Sequence, residues 1–333
     1  MSLIDELPES VAALMRSGAI AQYATVSAAG VPIDTPVLYF PDDDLSRVSL
    51  ATGLSYPAKA ERARRNPKVG MLLGGGPEDP VVAIAGMAAV RDADLQDNVN
   101  RYLAEACYTL PHDPDWTLAR QAVWYWTRII VEIVPKRIVW WDSPADMASA
   151  PHCWEAPEEA SFPASDPAPP GKTSSPAKWV EKPWQDLASE ALARGAPGHI
   201  TVLDGQGFPL PMRADAVAVT QDGFTLVMPG GVPWSFEGKA CLTFGGIETF
   251  LGDAREADGK VFLQVERTLP VFPMTSDMTQ LWQPTPDTRE QLMRRLLQEL
   301  ERRGQPVPAI PLDRPPPSPG YRRRMQRMGK TVD

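Results

Sequence analysis

Cysteine and histidine are scarce in this 333-residue chain. The three cysteines, Cys107, Cys153 and Cys241, stand far apart with no CxxC spacing. That excludes a disulfide framework or a zinc ribbon, and it fits a reducing, cytoplasmic setting. The three histidines, His112, His152 and His199, form neither an HxH nor an HExxH pattern, so no metal centre is expected. Basic residues are outnumbered, 33 Lys and Arg against 42 Asp and Glu, for a net charge of −9. Nucleic acid is therefore a poor partner, because phosphate binding draws on clustered cations. No apolar run approaches bilayer length, and the opening Asp5, Glu6 and Glu9 do not resemble a basic leader. Neither membrane insertion nor secretion is expected. A GxSxG nucleophile turn is absent, and Gly74-Gly75-Gly76 ends an apolar strand pattern rather than opening a helix.

Proline, in contrast, is abundant, with 36 residues, and it is unevenly spread. The stretch from Ala156 to Pro183 is rich in Pro, Ser and Ala and reads as an extended linker, as does Gln305 to Pro319. A basic run, Arg322-Arg323-Arg324 with Arg327 and Lys330, closes the chain and reads as a solvated, mobile end.

On either side of the central linker one plan recurs. Gly18, Gly30, Pro32 and Gly53 fall on Gly195, Gly207, Pro209 and Gly230 at a constant offset of 177 residues. VAALMRSG and LASEALARG both read as helices ended by glycine, and β-rich hairpins follow each. VGMLLGGG parallels ACLTFGGI, and IIVEIVPKRIVWW parallels VFLQVERTLPVF. Short strands at close spacing after one helix predict antiparallel barrels rather than alternating β-α units. The fold expected is β-rich α+β: two split-barrel repeats forming an intramolecular pseudo-dimer with peripheral helices. The boundaries expected are 1–150 for the first repeat, 151–183 for the linker, 184–280 for a trimmed second repeat, and 281–333 for a helix and Pro/Arg-rich tail. The first repeat alone carries SYPAKAERARRNPK, a basic amphipathic helix, and two further helices broken at Pro111 and Pro114. The last helix, from about Asp287 to Arg303, places Leu292, Leu296, Leu297 and Leu300 on one packing face. Trp124, Trp126, Trp140 and Trp141 are expected to pack; of the adjoining Trp140 and Trp141, a strand would turn only one inward.

The order GVPIDTPVLYF, SLATGLSYPAKAERARRNPKVGMLL, VVAIAGMAAV resembles the pyridoxamine 5′-phosphate oxidase-like, FMN-binding split-barrel superfamily, clearly over residues 10–142 and more faintly over 184–273. The resemblance implies a phosphate-binding turn at Thr52, Ser55 and Lys59, followed by Asn66-Pro67. The same residues make physical sense, since a phosphate needs hydroxyl and amide donors plus a cation. Thr35, Pro36, Val37 and Leu38 match the strand that borders the isoalloxazine ring. Family members of pyridoxine metabolism carry Arg at the start of this segment, where this chain has Asp34-Thr35-Pro36. The resemblance further implies a flavin between subunits, here between repeats, with one competent site, because Pro229-Gly230-Gly231-Val232-Pro233-Trp234 replaces the phosphate turn. Arg213 and Trp234 are the candidates for its far wall. The function expected is an FMN-dependent oxidoreductase acting on a small molecule, with NADH or NADPH as a reductant and further oligomerisation open; no catalytic acid or base stands out. Alternatives are F420, which Arg62, Arg64 and Arg65 would favour; haem through His199; a non-catalytic flavin carrier; or a cofactor-free interaction module.

Overall fold

A computed structural model describes residues 6–18, 20–74, 76–106, 115–174, 181–271 and 281–327. The first repeat runs α1 (Glu9–Arg16), β1 (Ile20–Val26), β2 (Pro32–Pro41), β3 (Val48–Gly53), α2 (Ala58–Arg65), β4 (Lys68–Gly74), β5 (Val81–Arg91), α3 (Leu95–Ala106), α4 (Trp116–Ala119), α5 (Val123–Trp126) and β6 (Arg128–Trp141). Its strands lie in the order β3-β2-β1-β4-β5-β6, and β3 pairs again with β6, so the barrel closes. A short strand, β7 (His152–Glu155), adds to β6 from within the expected linker. The Pro111 and Pro114 break between helices lies outside the described residues.

The second repeat runs α6 (Trp184–Ala193), β8 (Gly198–Leu203), β9 (Pro209–Arg213), β10 (Ala216–Val219), β11 (Gly223–Val227), β12 (Gly238–Phe244), β13 (Glu248–Ala257) and β14 (Lys260–Leu269). Its order, β10-β11-β14-β13-β12-β8-β9, is the same cycle with the counterpart of β2 cut in two. The cut falls at Ala214-Asp215, whose amides donate to Gly198 O (2.9 Å) and Val227 O (2.8 Å) on opposite edges of the curled sheet.

The duplication is exact at the level of register. Gln22 pairs with Pro36 across β1 and β2, and His199 with Arg213 across β8 and β9, each 177 residues further on. Gly30 (φ 74°) donates to Ser27 O, and Gly207 (φ 80°) to Asp204 O, in matching hairpin turns. Both turns need glycine because a side chain resists that left-handed backbone. The seam between repeats is symmetric as well: β4 packs on β9 as β12 packs on β2, and β1 on β9 as β8 on β2. The expected β-rich architecture of paired split barrels is therefore what the chain forms.

Additions to the first repeat depart from expectation in instructive ways. The last helix, α7 (Pro286–Arg303), starts at a Thr285 cap and ends at left-handed Gly304. Leu292, Leu296 and Leu300 are buried against the first barrel, whereas Leu297 is 49% exposed. Leu297 lies beyond one flank of the stripe, and Glu299, on the other flank, is the buried neighbour instead. Glu299 receives Arg302 (3.1 Å) and Arg303, and Arg303 reaches Asp92 (2.9 Å), which also takes Arg64 (2.8 Å). The Pro-rich segments are fastened rather than loose: Asp166 accepts the amides of Asp92 (2.8 Å) and Ala93 (2.9 Å), and Gln305 accepts that of Leu95 (2.8 Å). The basic end forms α8 (Pro319–Arg327), anchored by buried Tyr321, so over these residues it is helical rather than loose. Trp140 and Trp141 are both buried, because the second core covers the outer face of β6: Trp140 joins the first core and Trp141 the second. No described helix is long and apolar enough to cross a membrane.

The seam sets a strict size limit at Gly70 of β4, where an added Cβ would overlap the Pro209 carbonyl oxygen of β9. Backbone against backbone cannot yield as a flexible side chain does. Gly70→Ala should cost about 1–3 kcal/mol, while Gly74→Ala, with open space around it, should stay within roughly 0.5 kcal/mol. Urea unfolding of both variants checks this.

Candidate functional site

β3 ends where its ladder with β6 ends, at Gly53 paired with Arg128. The chain then turns tightly, Tyr56 N donating to Gly53 O (3.1 Å), and Pro57 leads into α2. A Cβ on Gly53 would overlap the Tyr56 ring, so a larger residue there would have to displace that side chain. Thr52 is 1% exposed, and its hydroxyl has no hydrogen-bond partner among the described residues. Ser55 is fully buried and donates to Leu292 O of α7 (3.1 Å), while Arg295 Nε donates to Ser55 O. The last helix thus lies over the turn, a contact that the two sequence patterns do not announce.

Lys59, the second residue of α2, is half-buried. Burial, then the charges of Arg62 and Arg128, pull its pKa down to about 8, against the opposing pull of Asp34. Asp34 is 1% exposed; burial drives its pKa well above the carboxylate range, despite the opposing pull of the Thr35 and Tyr23 backbone and of the Lys59 charge. Arg62 donates to Thr25 Oγ1 (2.7 Å), and burial lowers its pKa to about 10. Arg128 lies 4.1 Å and 4.6 Å from the ring centres of Tyr125 and Tyr102, and its Nε is unpartnered. Positive charge here exceeds negative charge, and the enclosed Thr52 hydroxyl lacks a partner. Arg64 and Arg65 take no part: Arg64 pairs with Asp92, and Arg65 donates to Val26 O (3.3 Å).

Thr35, Pro36, Val37 and Leu38 pair with β1 alone, because β3 joins β2 only from Tyr39 onward. One backbone edge of this segment therefore stands outside the ladder, as ring-edge recognition would need. Val37 belongs to the first core, and Pro36 meets the β12–β13 turn so closely that a Cβ on Gly246 would overlap its ring.

The second-repeat candidates lie elsewhere. Arg213 is the counterpart of Pro36, and it lines a cavity of about 620 Å³ together with Gln22, His199 and Pro229. Trp234 lines a different cavity of about 770 Å³ beside Arg137 and Asp204. The structure thus gathers Thr52, Ser55 and Lys59 around one turn, but does not bring Arg213 and Trp234 to them. Asp34 and Arg128 were not singled out for this site by pattern, and Arg62 only as one of the cations that would favour F420. The signal for Asp34 was present, a lone carboxylate inside the apolar run of β2; Arg128 comes from a strand 69 residues after Lys59 and carries no local mark.

No protein-family model matches the chain, and no curated protein matches it. Solved structures do. The chain resembles pyridoxamine 5′-phosphate oxidase-like proteins in fold, each over about 40% of its length. One is a pyridoxamine 5′-phosphate oxidase-related, FMN-binding protein from Nostoc punctiforme, 13% identical over 42% of this chain and 84% of that one, with a TM-score of 0.32. Another is PhzG from Burkholderia lata, in complex with tetrahydrophenazine-1-carboxylic acid, 15% identical over 47% and 86%, TM-score 0.34. A third is an F420 reductase, 15% identical over 41% and 100%, TM-score 0.30.

The lowered Lys59 pKa has a measurable sign. The unfolded chain holds this proton up to about 10.5 and the folded chain only up to about 8, so stability should rise with pH between those values. Lys59→Met should flatten that rise in a pH series of denaturant midpoints.

Proposed function

We propose that the chain binds a flavin-type cofactor between its repeats, with the phosphate end at Lys59 and Thr52 and the ring edge along Thr35, Pro36, Val37 and Leu38. The observation that carries this reading is the buried surplus of positive charge at the β3–α2 turn, beside the unpartnered Thr52 hydroxyl. A buried cation without compensation is costly, and an anion at this point would offset that cost. FMN fits this donor set better than F420, because Arg64 and Arg65 are committed away from the turn. Once bound, a flavin would supply hydride or electron transfer to a small-molecule substrate, with NADH or NADPH as the reductant. The chain's own part is to orient and enclose: Lys59 and Arg128 neutralise the anion, Thr52 donates to it, and the free edge of β2 meets the ring. Ser55 joins the donors only when it releases Leu292 O, so α7 must give way for full engagement.

That same helix contact, with the tight packing of Gly246 on Pro36, favours a second reading, a cofactor-free interaction module. Titration with FMN under visible absorption and flavin-fluorescence quenching separates the two. Under the first reading the wild type binds, Lys59→Ala weakens binding at least tenfold, and Lys239→Ala does not, since Lys239 is engaged by Asp253 (2.7 Å) and Glu266 (2.8 Å) at the surface. Affinity should hold below pH of about 8 and fall above it as Lys59 loses its proton. A wild type with no affinity for FMN or F420 supports the module.

A further inference from the structure

The duplication leaves a counterpart of the phosphate turn in the second repeat, and that place is a cavity. It lies between β1, β4 and the β4–β5 turn of the first repeat and β8, β9 and Pro229 of the second, with a volume of about 620 Å³, in the range of small-molecule sites. Where the first repeat has the Thr52 hydroxyl, Pro229 lines this cavity, and no lysine lines it. The hydroxyl and lysine of the first-repeat turn thus have no counterpart in this lining.

What the cavity offers is different. Leu72, Val81 and Met147 give it apolar walls, and Ile20, 66% exposed, stands at its rim. Arg213 has no ion pair or hydrogen bond from its side chain among the described residues, although the carboxylate of Asp215 also lines the cavity. His199, beside Arg213 in the β8–β9 ladder, has its Nδ1 buried without a partner among the described residues. Burial first, and then the Arg213 charge, lower its pKa to about 4, so at neutral pH it is an uncharged hydrogen-bonding group.

We propose that this cavity is a second ligand site, taking a flat aromatic carboxylate: the carboxylate pairs with Arg213, and the ring lies on Leu72, Val81 and Met147 beside the uncharged His199. An arginine fork suits a carboxylate, and its unpaired state leaves it available. The site stands independently of any cofactor at the Lys59 turn. Gln22, which lines the cavity, with its amide turned to donate reaches Asp34 Oδ1 on β2 at 3.2 Å.

The test uses the full-length chain with 6-hydroxy-2-naphthoate and the neutral 6-hydroxy-2-naphthamide as probes, followed by probe fluorescence and calorimetry. The wild type should bind the carboxylate at least tenfold more tightly than the amide. Arg213→Met should abolish that preference, and Ile20→Glu, at a solvent-exposed rim that tolerates change, should reduce carboxylate binding while sparing the amide. Lys59→Ala should leave both probes unaffected, which separates failure here from failure of the flavin reading. No carboxylate binding by the folded wild type, equal binding of the two probes, or a loss caused by Lys59→Ala as large as that caused by Arg213→Met would overturn the proposal.

Discussion

Two curved sheets meet along a seam where backbone touches backbone, and the rest of the molecule depends on that approach. Gly70 of β4 lies under the Pro209 carbonyl of β9, and Gly246 lies against Pro36 on the opposite side of the pseudo-twofold. Contacts this close leave no room for side chains, so the relative placement of the repeats is set by chain geometry as much as by hydrophobic burial. Polar groups caught beside the seam find partners where they can: Arg62 donates to Thr25 Oγ1 in its own barrel (2.7 Å).

Around this symmetric centre the two halves have diverged in opposite senses. The first barrel has gathered α3, α4, α5, α7, α8 and both Pro-rich segments, and their polar contacts converge on Asp92, Asp166 and Glu299. The second has kept little beyond its sheet and α6. The consequence reaches the candidate sites: the first repeat retains hydroxyls and cations beneath a covering helix, while the second retains space but not those donors.

Much of this was legible in the residue order, because glycines at left-handed positions and prolines at strand starts cannot drift without breaking a turn. Gly18, Gly30 and Pro32 therefore preserve the offset to Gly195, Gly207 and Pro209 although most neighbouring side chains have changed. Thr52, Ser55 and Lys59 could be grouped because they lie within eight consecutive residues. What could not be read is what one surface does to another. An amphipathic stripe in α7 shows that it packs, not that it packs on Ser55, and the buried side of Leu297 was misjudged because Glu299 is internal through ion pairs. Trp141 was buried by a second core that no local pattern reveals. Arg213 lines the cavity beside His199 because it occupies the position that Pro36 holds in the first repeat, a placement its chemistry does not announce.

The break at Ala214-Asp215 has a consequence for solubility. Open sheets expose two rows of unpaired amides and carbonyls, which invite strand addition and aggregation. In the second repeat a single segment of chain supplies both outermost strands, β9 and β10, and its bend carries one margin round to the other. The margins are thereby joined covalently where hydrogen bonding stops, so a sheet that fails to close as a barrel is still guarded against adding strands from its neighbours.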